Sequence, residues 1–432
     1  MKVALKLGCL VAAVMLVCVG GEVANAGVEL VSVGIGGAPA NGPSPAGLGP
    51  SGLSTNGRYV VFTSAASNLV PKDTNHADDV FVRDRTKRTT RRVSVGNSGV
   101  QGNVSSGNGV ISQNGRFVAF QSFARNLVPD DNNVRYDIFV RDLVAGKTER
   151  VSVATDGAQA NGDSFVPSIS ADGRFVAFSS SASNLVPRDT NGSYDIFLHD
   201  RKKHATFRVS LGAPFSQAND FSGSPVLSQD ARFVAFTSCA SNLAPGDTNG
   251  ACDVFVRDRR NQTIRRVSVT QTGAQSTGGG RDPAMSPNGR FVAFASDASD
   301  FVPRDTNGSS DIFVRDLQTN TTSRVSLGAG FAQVDGGNYL PKISADGKKV
   351  VFESWAGIVA DDKNGVADIY LRDRRTQSIR RMSVPLPNVP GTGLSESPAI
   401  SADGDTVVFF SQAPNLVPGD TNGVRDVFVA TP

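Results

Sequence analysis

Histidine is nearly absent from this chain of 432 residues: His76, His199 and His204 are its only three, and they do not recur at equivalent places in its repeating pattern. No Gly-x-Ser-x-Gly elbow, zinc motif or phosphate-cradling loop accompanies them. On that basis the chain is expected not to be an enzyme. Helical periodicity and capping boxes are missing too, which points away from helical layers. Beyond the N-terminus no apolar stretch approaches the roughly 20 residues of a membrane-spanning helix. An excess of one charge is also lacking, since 43 Lys and Arg face 40 Asp and Glu. Neither a transmembrane protein nor a nucleic-acid binder is expected.

Cysteine is scarce, with four in all. Two of them, Cys9 and Cys18, fall in a segment that reads as a signal peptide. Lys2 and Lys6 give it a positive start, Leu7 to Val19 is an apolar run, and Ala24-Asn25-Ala26 is a small-x-small cleavage site. Residues 1–26 are therefore expected to be cleaved, leaving 27–432 as one exported domain in a bacterial periplasm or outside the cell. Cys239 and Cys252 remain in the mature chain, and in an oxidising compartment a disulfide is their natural state.

What the chain has in abundance is repetition. Ser170-Ala-Asp-Gly-Arg-Phe-Val-Ala-Phe is followed by Asn184-Leu-Val-Pro, by Asp189-Thr-Asn-Gly-Ser-Tyr-Asp-Ile-Phe-Leu and by Arg208-Val-Ser-Leu, and this series recurs. The turn position falls at Gly57, Gly115, Gly173, Ala231, Gly289, Gly347 and Gly404, a period of about 58 residues in seven copies. In the third copy Arg174 to Phe178, ending in Phe-Val-Ala-Phe, is apolar on both faces and needs cover on both sides. A sandwich covers one face of each sheet, whereas sheets stacked face to face in a ring cover both. The expected fold is all-β: a seven-bladed propeller of four antiparallel strands, a to d, per blade. The last copy stops after its third strand at Asp426-Val-Phe-Val429, and Val28-Glu-Leu-Val-Ser-Val33 matches the missing fourth. The N-terminal strand should therefore complete the last blade.

The Ser-x-Asp-Gly-Arg turn, the Val-Ala-Phe strand after it and the Asp-Ile-Phe or Asp-Val-Phe strand ending in Arg-Asp resemble the TolB-like family of propellers, related in style to WD-repeat proteins. The resemblance implies a bacterial envelope protein. It departs in blade number, six in TolB against seven here, and in having no room for the family's N-terminal α/β domain, so the fold and compartment carry over but the complex does not.

Up-and-down strands place the b–c and d–a connections on one face, the loop face, and the tight a–b and c–d turns on the other. Long loops on a rigid scaffold are where function usually sits. Every b–c loop carries Asp-x-Asn-x-x-x-Asp: Asp73/Asn75/Asp79, Asp131/Asn133/Asp137, Asp189/Asn191/Asp195, Asp247/Asn249/Asp253, Asp305/Asn307/Asp311, Asp362/Asn364/Asp368 and Asp420/Asn422/Asp426. Two readings stand: oxygen ligands for Ca²⁺, or side chains that build an Asn-Gly turn and anchor strand c. The d–a loops repeat Gln101, Gln159, Gln217, Gln275 and Gln333, either ringing the channel as ligand contacts or satisfying backbone groups between blades. Copy six breaks the pattern and holds the single tryptophan, Trp355, a further ligand candidate. Asp282, Asp297 and Glu396 are acidic residues outside the repeated motif. The reading that follows is a monomeric binding or scaffolding propeller for a protein or glycan partner, with calcium left open. A hydrolase or lyase with a carboxylate-based channel site is the alternative.

Overall fold

The computed structural model describes residues 27–45, 52–386 and 392–432, and the expected signal peptide lies outside them. Seven four-stranded antiparallel sheets follow one another in chain order. In blade 3 the strands are a, Ser164–Ile169; b, Phe175–Ser180; c, Asp195–Asp200; and d, Ala205–Arg208. Strand b leads with a half-buried Phe175 and then buries every residue, as its two apolar faces require. Its Phe178 meets Phe197 of strand c with ring centroids 6.0 Å apart, and a matching aromatic pair sits in each of the other six blades. The core lies between blades, where Ile196, Leu198 and Val209 of one pack on Val234, Phe236 and Phe255 of the next. Full burial of each such side chain contributes about 1.5–3 kcal/mol.

The turn face is built by the Ser-x-Asp-Gly-Arg motif. Ser170 Oγ donates to Asp172 and accepts the Phe175 amide, while the Arg174 amide donates to the same carboxylate. Gly173 takes a φ of +77°, and a Cβ there would lie 2.1 Å from the Phe117 ring of the preceding blade. The fourth copy reaches the same left-handed conformation with Ala231, φ 53°. Arg174 then grips Asp200 at the end of strand c with two hydrogen bonds. The Phe117 ring is held between Arg116 of its own blade and Arg201 of the next, at 4.9 and 4.5 Å.

Ring closure follows the sequence expectation. Val28–Leu30 pairs antiparallel with Asp426–Ala430, so the N-terminal strand is strand d of blade 7. Ser32 just beyond it donates to Asp426 at 2.5 Å and accepts the Val427 amide at 2.9 Å. Replacing Ser32 with Ala leaves a buried carboxylate oxygen and a buried amide without their partner. The expected loss is about 2 kcal/mol of unfolding free energy by denaturant titration; a loss under about 0.5 kcal/mol contradicts this account of closure.

Candidate functional site

The repeated Asp-x-Asn-x-x-x-Asp loops turn out to be internal braces in six of the seven blades. The second Asp is buried at the head of strand c, where a strand-d serine donates to one oxygen and the motif's own Asn to the other, as Ser94 and Asn75 do to Asp79. Asn133, Asn191, Asn249, Asn307 and Asn364 donate in the same way to Asp137, Asp195, Asp253, Asp311 and Asp368, each of which also receives its strand-d serine. The oxygen of each of these asparagines is occupied too, accepting the backbone amide two residues on, from Ala77, Arg135, Ser193, Ala251, Ser309 and Val366 in turn. An arginine at the end of strand d then spans both carboxylates. Arg92 reaches Asp73 at 3.1 Å and Asp79 at 3.3 Å. Arg150, Arg208, Arg266, Arg324 and Arg381 do the same in blades 2 to 6.

These contacts correct the calcium reading for six of the seven triads. In Asp73/Asn75/Asp79, Asp131/Asn133/Asp137, Asp189/Asn191/Asp195, Asp247/Asn249/Asp253, Asp305/Asn307/Asp311 and Asp362/Asn364/Asp368 a guanidinium already pairs with both carboxylates, and the asparagine oxygen is committed to its own turn. Too few oxygens are left over for an ion that takes six to eight. Among the described residues no group of three or more His, Cys, Asp or Glu is placed to hold a metal. The seventh triad, Asp420/Asn422/Asp426, has no such arginine and is treated below.

The glutamines belong to the same brace. Gln159 and Gln275 donate to Asp131 and Asp247, and Gln101, Gln217 and Gln333 accept from the amides of Thr74, Thr190 and Thr306. They tie the d–a loop to the b–c loop of the preceding blade and do not line the channel, which corrects their reading as a channel ring.

The channel is lined by strand a instead. In blades 2 to 7 the a–b pairing slips at one point, a β-bulge. The bulged residue has positive φ: Asn108, Val166, Ser224, Asp282, Leu340 and Ser397, at 50–53°. A bulge re-aims its side chain, and these six border a central cavity of about 270 Å³. For Val166 and Leu340 that backbone is strained. Its charged lining residues are Asp282 and Lys342, both on the side of blades 5 and 6. Burial pulls the Lys342 ammonium down to about 8, against the opposing pull of Asp282.

Around the mouth of this channel on the loop face, chemistry is divided by blade. Three register positions supply it: the residue after strand b, the residue before strand c, and the residue before the strand-a bulge. In blades 2 to 4 aromatic side chains dominate these and adjoining positions. Phe123, Tyr136, Phe165, Tyr194 and Phe221 form a continuous arc with successive centroids 5.2, 5.2, 6.2 and 6.2 Å apart. All five are half-buried or exposed. At the fourth blade's first two positions stand Cys239 and Cys252, joined as a disulfide.

In blades 5 to 7 six of these nine positions are charged or amphipathic: Arg281, Asp297, Tyr339, Trp355, Glu396 and Arg425. Arg281 binds Asp297 with two bonds of 2.9 Å and lies over the Tyr339 ring. Glu396 pairs with Arg425 at 2.7 Å. Trp355, 52% exposed, stands beside Glu353 and favours its ionised form. Glu353 is buried and accepts the Ser397 amide at 3.2 Å; burial chiefly, with the charges of Glu396 and Asp282, raises its proton affinity. The three extra acids singled out in the sequence are linked through basic and acidic neighbours: Arg281 acts on Asp297 and Asp282, and Glu353 feels both Asp282 and Glu396. Lys342, two residues beyond the strand-a bulge, lies deeper in the channel, where Asp282 is the charge it meets.

No family model matches the chain, and no curated protein does. Solved structures do match. They include an oligogalacturonate lyase solved with manganese, at 13% identity over 88% of each chain and a TM-score of 0.54. An oligogalacturonate lyase from Vibrio parahaemolyticus matches at 11% identity over 94% of this chain and 96% of that one, TM-score 0.57. TolB from Acinetobacter baumannii is also among the matches, at 16% identity over 90% and 86%, TM-score 0.40. At these identities the likeness is one of fold. It nonetheless corrects the expectation that the chain is not an enzyme: two proteins built on the same ring are lyases, so the lack of a familiar motif is no ground for excluding catalysis.

Lys342 offers a direct check on this geometry. In competitive labelling with an amine-reactive reagent, read by mass spectrometry, its reactivity should reach half-maximum near pH 8, whereas a solvated lysine titrates near pH 10.4. A midpoint near that of the other lysines contradicts the desolvated channel site.

Proposed function

We propose that this chain binds an oligosaccharide across the channel mouth of its loop face. The observation that carries the reading is the five-ring aromatic arc facing a charged arc across one opening. Sugars present flat C–H faces that pack on aromatic rings, and hydroxyls or carboxylates that pair with Arg, Asp and Glu; large amphipathic rings and a few placed polar groups are the usual makeup of such sites. The arc spans three blades and so suits a chain of several sugar units. Arg281 and Arg425 give the opposite rim donors for acidic sugars.

Lys342 beside Asp282 in the channel favours a second step, in which a glycan end reaching into the channel is cleaved by proton abstraction. The fold shared with lyases supports that extension. The disulfide of blade 4 supports an oxidising compartment outside the cytoplasm. Among the described residues no helix is long and apolar enough to cross a membrane.

The test is calorimetric titration with neutral and uronic-acid oligosaccharides. Binding is expected, and Tyr136→Ala or Phe165→Ala should each weaken it about tenfold, the effect of losing one aromatic anchor. Turnover, where seen, should vanish in Lys342→Met while binding persists. Absence of binding across the panel, or full affinity in both aromatic variants, contradicts the proposal.

A further inference from the structure

The seven b–c braces are not equal, and the difference arises from how the ring closes. Strand d of blade 7 is supplied by the N-terminus, and its register sets Leu30 opposite Phe428 where blade 1 sets Arg92 opposite Phe81. Leu30 therefore stands where the other six blades have the arginine. The glutamine is replaced as well: the bridge Val95↔Gln101 of blade 1 becomes Val33↔Pro39. Asp420 and Asp426 thus keep the acidic half of the brace without its cation.

The rest of the site is intact. Asp426 is fully buried and receives Ser32 and, at 2.6 Å, Asn422, whose side chain also donates to the Ala40 carbonyl. Asp420 is only 6% exposed, has no ion pair and no side-chain donor among the described residues, and is met by the Asn422 backbone amide. The charged side chains next to Asp426 and Leu30 in sequence are committed elsewhere, Arg425 to Glu396 and Glu29 to Arg85 of blade 1. Burial and the neighbouring Asp426 raise Asp420 to about 6, while its counterparts beside an arginine shift less or without resolved change.

We propose that the Asp420/Asp426 pair binds a free cation in the place that a guanidinium occupies in the other six blades, and that this ion completes the closing blade. The argument rests on the sister sites: the same two carboxylates, in the same local frame, hold a positive group six times in this one molecule. A small metal ion and a planar guanidinium share the charge the site calls for, and the probes separate them. This site does not depend on glycan binding.

The experiment is thermal unfolding of the mature protein with calcium chloride, magnesium chloride or dilute guanidinium chloride, each against sodium chloride at matched ionic strength. At least one cation should raise the melting temperature by about 3 °C or more. Asp420→Asn should remove that response. Leu30→Arg should also remove it and raise the melting temperature without added cation, since it supplies the missing guanidinium. Calcium or magnesium response identifies a hard-ion site, and a guanidinium-only response identifies an N–H donor site. No response to any cation, or one retained in Asp420→Asn, overturns the proposal. Asp420→Asn is nearly isosteric and carries the test even where Leu30→Arg fails to fold.

Discussion

The structure depends on one buried aspartate per blade. At the head of strand c its carboxylate gathers a serine from strand d, an asparagine from the b–c loop and, in six blades, an arginine that also holds the loop's first aspartate. A buried charge is tolerated only when paired and hydrogen-bonded. The same requirement that satisfies the aspartate therefore fastens the loop to the blade's outer edge. In blade 7 the serine is Ser32, almost four hundred residues from Asp426 in sequence, so the interaction that orders a blade elsewhere also closes the ring there.

With loops pinned on the outside and Arg-Phe-Arg stacks locking the turn face, the residues at the inner rim of the loop face are released from structural duty. That is where the copies diverge. The position after strand b is Phe123, Ser181, Cys239, Asp297, Trp355 and Gln412 in blades 2 to 7. The fold asks nothing particular of it, and the chain uses it for rings, a disulfide, an acid and an indole. The strained bulge of strand a serves the same end, turning Asp282 into the channel next to Lys342.

The ring was legible in the sequence because its causes are local and repeated. Phe178 and Ala177 on opposite faces of one strand demand two covers, and a constant period says what the covers are. The brace was half legible: Asp189, Asn191 and Asp195 stand out as a motif, but Arg208 reaches the two acids from strand d, and nothing in the loop's own spacing announces a partner on the next strand. Seeing the acids without the base left both a calcium site and a turn that anchors strand c open. The channel mouth was hardly legible, since Tyr136 and Phe165 meet only when blade 2 is set against blade 3. The departure of Leu30 from arginine becomes visible only once the N-terminus is placed as a fourth strand.

The measurement that tests the account most directly is hydrogen–deuterium exchange of the protein with and without a bound oligosaccharide, resolved to peptides. Slower exchange confined to the loop-face segments around Tyr136, Phe165, Tyr194, Tyr339 and Trp355 is the predicted result. Protection on the turn face or along the outer d strands, with those segments unchanged, would contradict the assignment of function to the channel mouth.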